Sequence, residues 1–476
     1  MQLTQTAGHF IAGEQRDSDG AELEVFRPES GEVLTKVPVG NADDVSVAVE
    51  SAASGFRAWA ARPPAEKESL LAAVARRIEE QADELAELER ANTGKRLDVA
   101  RDEVLAAAGL FSFYAGYPSK AFGDRIPIAD PNILCYTVLE PLGVIAAITP
   151  WNYPLMIVAG KVAAALAAGC SVVVKPAPET PLTALELARI VSDCGLPDGA
   201  LNVITGDGST GEALAGHPGI AKVSFTGSTA TGRKVIVTAG ANGRPSTLEL
   251  GGKSPNLVFG DVDLEKSIEP ILMGALTNAG QECCAGARVL VEASALDRFI
   301  ELAAERIEAL RVGSGDDSEI GPLISRRQHD RVAGFVERAI ADGATVRARA
   351  DAPEEGFFYP PTLLTEVQEE LEICREEIFG PVLTVDSFES DEEALRMANA
   401  TRYGLAAGVW TSSIDRSIRF ARDLEAGIVW VNSYLAGDAA APFGGGKDSG
   451  FGRELGVEGP RDFSQVKTVY TAGPPA

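Results

Sequence analysis

The chain has 476 residues, 45% of them hydrophobic, which allows roughly two to four domains; no run of about 18 apolar residues suggests a membrane span. A formal net charge of −26 excludes nucleic acid as an expected partner. The cysteines, Cys135, Cys170, Cys194, Cys283, Cys284 and Cys374, follow no framework spacing, and Met1–Thr6 lacks the basic and apolar regions of a signal peptide, so a reducing cytoplasm with free thiols is expected.

Short strands are predicted up to about Val37. Asn41, backed by Asp43 and Asp44, starts a helix. Pro63-Pro64 opens one longer helix with apolar residues at helical spacing from Leu70 to Leu88, closed by Thr93-Gly94. Another helix runs from about Leu97 to Tyr117. From Pro118 to Pro141 the pattern becomes extended, as it does again at Val466–Tyr470; two such segments outside the main rhythm can pair with each other or with another subunit.

Strand and helix then alternate. Val144–Ile148 leads through Thr149–Pro154 into an alanine-rich helix ending near Ala168. Ser171–Lys175, Leu201–Ile204 and Lys222–Phe225 continue a βαβ pattern that predicts a parallel, doubly wound sheet. After Phe225 comes Thr226-Gly227-Ser228-Thr229-Ala230-Thr231-Gly232. A strand, a glycine turn and a helix can present backbone N–H groups to a phosphate; equally, Ser228 can simply cap the helix. A second α/β series follows Pro255, with strands at Arg288–Val291 and Leu405–Trp410 and helices at Ala295–Arg311 and Arg326–Ala341. Ile428–Asn432 reads as a last buried strand before the glycine-rich Pro442–Lys447.

Two reactive side chains stand in glycine-flanked stretches, where backbone can pass close to a ligand. Glu249 lies in Leu248-Glu249-Leu250-Gly251-Gly252-Lys253, and Cys283 in Gly280-Gln281-Glu282-Cys283-Cys284. A thiol nucleophile and a carboxylate base suffice for two-step covalent catalysis. An isolated cysteine and glutamate are more often core and surface residues. The three histidines, His9, His217 and His329, lie outside glycine-rich or reactive stretches, which argues against a Ser-His-Asp or Cys-His hydrolase and a His-ligated metal.

Taken with Thr149-Pro150-Trp151-Asn152-Tyr153-Pro154, Val174-Lys175-Pro176, Phe225-Thr226-Gly227-Ser228, Glu377-Ile378-Phe379-Gly380-Pro381 and Pro442-Phe443-Gly444-Gly445, these stretches resemble, in order, the aldehyde dehydrogenase superfamily over almost the whole chain. The resemblance implies an α/β fold in three parts. A Rossmann-like parallel-sheet cofactor domain takes 1–118 and 142–251, and an α/β catalytic domain 252–443. A small β oligomerisation arm and C-terminal tail take 119–141 and 444–476, giving a homodimer or homotetramer.

The resemblance also assigns roles. The Cys283 thiolate adds to an aldehyde, with the Asn152 amide and the Cys283 N–H as oxyanion donors. NAD takes the hydride, and Glu249 activates water to hydrolyse the thioester. Lys175 would hold the adenine ribose, Ser228 a pyrophosphate oxygen and Glu377 the nicotinamide ribose, with Phe379 at the nicotinamide end. Thr149, Pro150 and Trp151 extend the cofactor set, as do Gly208, Phe225, Gly227 and Leu250. NADP remains open, because the position three after the lysine, often Glu in NAD-preferring relatives, is Pro178, followed by Glu179.

The implied substrate pocket includes Tyr153, Phe443, Glu282 and Cys284. Glu282 is an unusual acid beside the nucleophile; it can face solvent or raise the thiol pKa. Cys284 is expected to pack. Gly160 and Gly437 stand where many relatives carry large rings. Either Leu435-Ala436 and the 109–117 helix close in and refill the gap, or an open, apolar pocket remains and predicts a bulky hydrophobic aldehyde; the missing Trp also removes a cation–π partner for a quaternary ammonium. The competing expectations are a CoA-acylating semialdehyde dehydrogenase, against which Glu249 speaks, and a non-catalytic protein of the same fold.

Overall fold

The computed structural model describes residues 8–18 and 20–473; Met1–Thr6 lies outside them. Asn41 accepts from the N–H groups of Asp43 and Asp44, while Asp44 reaches back to the Asn41 N–H, a reciprocal cap that fixes the start of the helix Ala42–Ala60. The single helix expected after Pro63 is two, Pro64–Glu80 and Ala82–Thr93. Gln81, at φ −103° and ψ 16°, ends one and begins the next, so the apolar spacing continues while the axis turns. Gly94, at φ +75°, closes the pair.

An eight-stranded sheet holds the first layer. Its parallel centre runs, in spatial order, Leu201–Val203, Ser171–Lys175, Val144–Ile148, Lys222–Thr226 and Ser246–Glu249. Every residue of these strands except Thr226 and Ser246 is buried, which is why they read as continuous apolar runs rather than alternating ones. The order reverses on either side of Val144–Ile148, so a crevice opens past the C-terminal ends of that strand and of Lys222–Thr226. Thr149–Tyr153 and Gly227-Ser228 sit at those two ends.

A seven-stranded sheet follows. Thr362–Thr365, Val382–Phe388, Arg288–Glu292, Pro255–Val258, Ala406–Trp410 and Ile428–Val431 run parallel, and Thr345–Arg349 adds an antiparallel edge. Ile428–Val431 differs from the buried strand expected: every residue is half-buried, because the strand pairs on one side only.

The extended segments do pair with each other. Ser464–Ala472 lies antiparallel to Ile133–Pro141 over nine residue pairs, and Arg125–Ile126 adds a third strand. The region 444–476 is nevertheless not all arm or tail. Gly450–Phe451 pairs antiparallel with Leu248–Glu249 at the edge of the first sheet, and Gly446–Lys447 pairs with Tyr403–Gly404. Among the described residues, no helix is long and apolar enough to cross a membrane.

Candidate active site

Glu249 ends the strand Ser246–Glu249, and register brings Gly450 opposite it. Its side chain is 3% exposed, and neither carboxylate oxygen has a hydrogen-bond partner among the described residues. A buried, unsatisfied carboxyl is costly unless a reactant completes it. Gly444, at φ +151°, leaves the necessary space: a Cβ there would lie 2.7 Å from Glu249 Oε1. Burial pushes the Glu249 carboxyl well above the usual range; the charges of Glu454 and Cys283 raise it further, and Lys161 opposes them. The Lys161 ammonium is buried, donates to Ser224 Oγ at 2.8 Å and pairs with Glu454.

The loop that leads to Cys283 takes a strained backbone. Asn278, Ala279 and Gly280 take φ values of 53°, 55° and 68° in succession, and a Cβ on Gly280 would collide with the Gly380 carbonyl. The Gln281 side chain locks this turn by donating to Asn278 O at 2.9 Å and accepting from the Ile324 N–H at 2.9 Å. Cys283 then emerges half-buried, with its carbonyl in the space that a Gly252 Cβ would occupy. The Cys284 thiol hydrogen-bonded to it, together with burial, pushes the Cys283 thiol well up, and the Glu377 charge adds to this.

Asn152 joins the same loop from the first sheet. Its side-chain amide donates to Gln281 O at 3.0 Å, which leaves a second N–H, and its backbone carbonyl accepts from Asn278 Nδ2 at 3.1 Å. Tyr153 donates to the Glu282 carboxyl. Glu282 is buried rather than turned to solvent. Cys284 is buried, as packing requires, and Tyr434 donates to its carbonyl at 2.9 Å.

Residues read as cofactor contacts lie along the crevice. Lys175 is buried; desolvation lowers its ammonium pKa to about 8, against the carboxylates of Glu179 and Asp207. Gly208 opens the helix Gly208–Gly216, one turn before Gly211, whose absent side chain faces Lys175 Cδ at 3.7 Å. The Gly227 N–H donates to the Glu249 carbonyl at 3.0 Å, next to the buried Phe225. Ser228 caps the helix Thr229–Ala241 by accepting from the Thr231 N–H at 3.3 Å. Thr149 carries a buried hydroxyl without a hydrogen-bond partner among the described residues, in the turn it shares with Pro150 and Trp151.

Leu250 is buried and donates its N–H to Ser449 O at 2.9 Å, so the Gly251-Gly252 backbone is fixed on both sides. Glu377 accepts from the Gly252 N–H at 3.2 Å, and burial raises its carboxyl to about 7. Phe379 stands at φ 60° with its ring edge-on to Trp151, centroids 5.1 Å apart. Gln328 donates to the Phe379 carbonyl at 2.8 Å and so holds that strained backbone.

Of the pocket positions, Phe443 packs in the apolar cluster with Cys283, Cys284 and Leu435. Among the described residues, a Cβ on Gly160 would meet only Leu110 at 3.7 Å and Leu455 at 3.8 Å, and one on the exposed Gly437 would meet nothing within 4 Å. Sequence reasoning passes over Lys161, Glu454, Gln281 and Asn278. Lys161 does leave a signal, a lone charge within the alanine-rich run Val158–Ala168.

The aldehyde dehydrogenase family profile matches residues 15–469. The putative aldehyde dehydrogenase DhaS of Bacillus subtilis (strain 168) is 40% identical over 99% of this chain and 98% of its own. A Bacillus cereus aldehyde dehydrogenase solved as an NAD+ complex is 40% identical, with a TM-score of 0.96 over 98% of this chain and 97% of that one. A Staphylococcus aureus betaine aldehyde dehydrogenase, also solved with NAD+, is 36% identical, with a TM-score of 0.97 over 99% and 95% of the two chains. With the thiol, the unsatisfied carboxyl and the amide gathered at one crevice, this agreement along the whole sequence has one meaning: the chain belongs to the aldehyde dehydrogenase family.

Proposed function

We propose that this protein oxidises a bulky, hydrophobic aldehyde to its carboxylic acid with NAD, through covalent intermediates on Cys283. The observation that carries the hydrolytic route is Glu249, buried with both oxygens unbonded beside the thiol. A site that handed its acyl group to CoA would have no use for such a base.

NAD fits the crevice on its own geometry. Gly227 and Ser228 form the turn before the helix Thr229–Ala241, and Lys175, Glu377 and Thr149 offer polar groups at the two ends. Lys175 would hold the adenine ribose, Ser228 and the helix start behind it the pyrophosphate, and Glu377 the nicotinamide ribose. Glu179, close enough to act on the Lys175 charge, supports NAD over NADP because a second carboxylate there repels a 2′-phosphate.

In the chemical step the Cys283 thiolate attacks the carbonyl carbon. The oxyanion meets the free Asn152 N–H and the Cys283 backbone N–H, worth about 3 kcal/mol per donor. NAD, when bound, supplies the acceptor for the hydride that leaves the tetrahedral carbon. Glu249 then takes a proton from water, the hydroxide adds to the thioester, and the Cys283 thiolate departs from the acid. The buried Lys161–Glu454 pair lies near enough to act on the Glu249 charge, with Glu454 raising its carboxyl and Lys161 opposing.

Leu110, Leu455 and Phe443 make the approach apolar. The division into 1–118 with 142–251, 252–443, and an arm and tail belongs to the same proposal, with Gly450–Phe451 counted in the first sheet rather than the tail. So does assembly as a homodimer or homotetramer through the three-stranded sheet, where Val466 and Tyr470 are each 64% exposed.

The deciding experiment uses an aldehyde panel with NAD and NADP on wild type and Cys283→Ala. The variant is expected to make no NADH yet still bind NAD, read by fluorescence. Turnover retained by the variant, or a wild-type preference for acetaldehyde or betaine aldehyde, would refute the corresponding half.

A further inference from the structure

Beside the nucleophile lies a buried group of ionisable side chains that the reaction above does not use. Glu282, which immediately precedes Cys283, is 7% exposed and accepts the Tyr153 hydroxyl. The Lys95 ammonium sits over the Tyr153 ring, 4.1 Å from its centroid, and forms a buried ion pair with Glu103. Glu103 and Glu89 receive the Met156 and Leu155 N–H groups, each at 3.4 Å, in the first turn of the helix Pro154–Ala168. Glu89 also accepts from Thr183 Oγ1 at 2.7 Å.

Three buried carboxyl groups thus share one cation, and Lys95 is engaged with Glu103. Glu282 has a hydroxyl partner, but among the described residues no ion pair is formed with it. Cys284, Tyr434, Glu377 and Glu249 also lie near enough to interact with Cys283, and none of them carries a positive charge.

We propose that Glu282 is a positioning residue for the nucleophile: latched to Tyr153, its carboxyl competes with the Cys283 thiol for negative charge and so sets the pH above which the thiolate forms. This rests on Cys283 being the nucleophile. A carboxyl is intrinsically the stronger acid of the two by about four pH units. The two buried acids on adjacent residues therefore titrate as a pair, and whichever ionises second meets a like charge on its neighbour. Burial and the Cys283 charge raise the Glu282 carboxyl, while Lys95 opposes them. The Tyr153 bond holds the carboxyl between the Asn152 loop and the Cys283 loop, so it cannot swing away to solvent.

The test follows iodoacetamide labelling of Cys283 against pH in the full-length protein, quantified by peptide mass mapping. In Glu282→Gln, which keeps the shape and the Tyr153 partner, the labelling midpoint is expected to fall by about one pH unit or more. Glu282→Asp, which keeps a carboxyl, is expected to stay near wild type. The acid limb of kcat/KM should move with the labelling midpoint. Should Glu282→Gln fail to fold, the double variant Glu282→Val with Tyr153→Phe replaces both partners by apolar groups and carries the same expectation. Unchanged midpoints, or an equal fall in the Asp variant, overturn the proposal. A labelling midpoint that falls while the kcat/KM limb stays fixed supports charge competition at the thiol and refutes Cys283 as the nucleophile instead.

Discussion

Burial and nearby charges push the Glu249 carboxyl above its ordinary range, and the Cys284 thiol and burial do the same to the Cys283 thiol, which makes their reactivity conditional on what fills the site. With burial holding Glu249 protonated, the base form gains population as pH rises, so hydrolysis of the thioester should accelerate over a range well above ordinary carboxylate values. Glu249→Gln is expected to slow steady-state turnover by roughly 100-fold or more while a single burst of NADH survives rapid mixing with excess aldehyde. Unchanged steady-state turnover would remove Glu249 from the base role. These two residues and Asn152 are legible because each stands inside a distinctive short motif. Lys161 and Glu454 are not, since they are 293 residues apart and only the folded chain makes them partners. Ser228 is legible in both of its readings, and the structure shows the cap.

At the scale of elements, the helix Pro154–Ala168 carries Gly160 and follows directly on the turn that holds Asn152, so it serves both the proposed pocket and the proposed oxyanion donor. Met156 and Gly160 are four residues apart and share a face. A Trp at 160 would fill the space above Leu110 and Leu455. Gly160→Trp is expected to cut kcat/KM for a benzaldehyde and a long alkanal by about tenfold or more while sparing acetaldehyde, a difference of roughly 1–3 kcal/mol for lost or blocked apolar contact. Equal losses for all three, in a folded variant, would place the substrate elsewhere. The parallel strands are legible because both faces are buried and their apolar runs are continuous. The break at Gln81 is hidden by apolar spacing that runs through it. Ile428–Val431 reads as a buried strand from its residues, yet its half-exposure comes from having a neighbour on one side only, a fact of sheet order that no local pattern records.

For the molecule as a whole, the interior acids govern stability against pH. Glu89, Glu249, Glu282 and Glu377 all have carboxyls raised by burial, Glu377 to about 7. A group whose folded pKa lies above its unfolded value contributes stability below the unfolded value and loses it as pH rises through the folded one. The net charge of −26 acts in the same direction through self-repulsion. The melting temperature of the free protein is therefore expected to fall between about pH 5 and 7, less steeply at high salt and less steeply in Glu377→Gln. Lys175 and Lys253, each lowered to about 8 by burial, push the other way above that pH. A melting temperature that rises from pH 5 to 7 would contradict this balance.

The pairing of Gly450–Phe451 with Leu248–Glu249 also bears on how the protein is made. The strand that ends in the proposed base is flanked on one side by residues translated some two hundred positions later. The backbone bond from Leu250 to Ser449 and the contact of Ser449 with Gly251, 198 residues apart, both span that interval. During synthesis the reactive thiol leaves the ribosome long before the edge beside Glu249 can close. Newly made chains therefore hold an unfinished site, and competence to turn over aldehyde arrives only after the sequence through Phe451 is free to fold back.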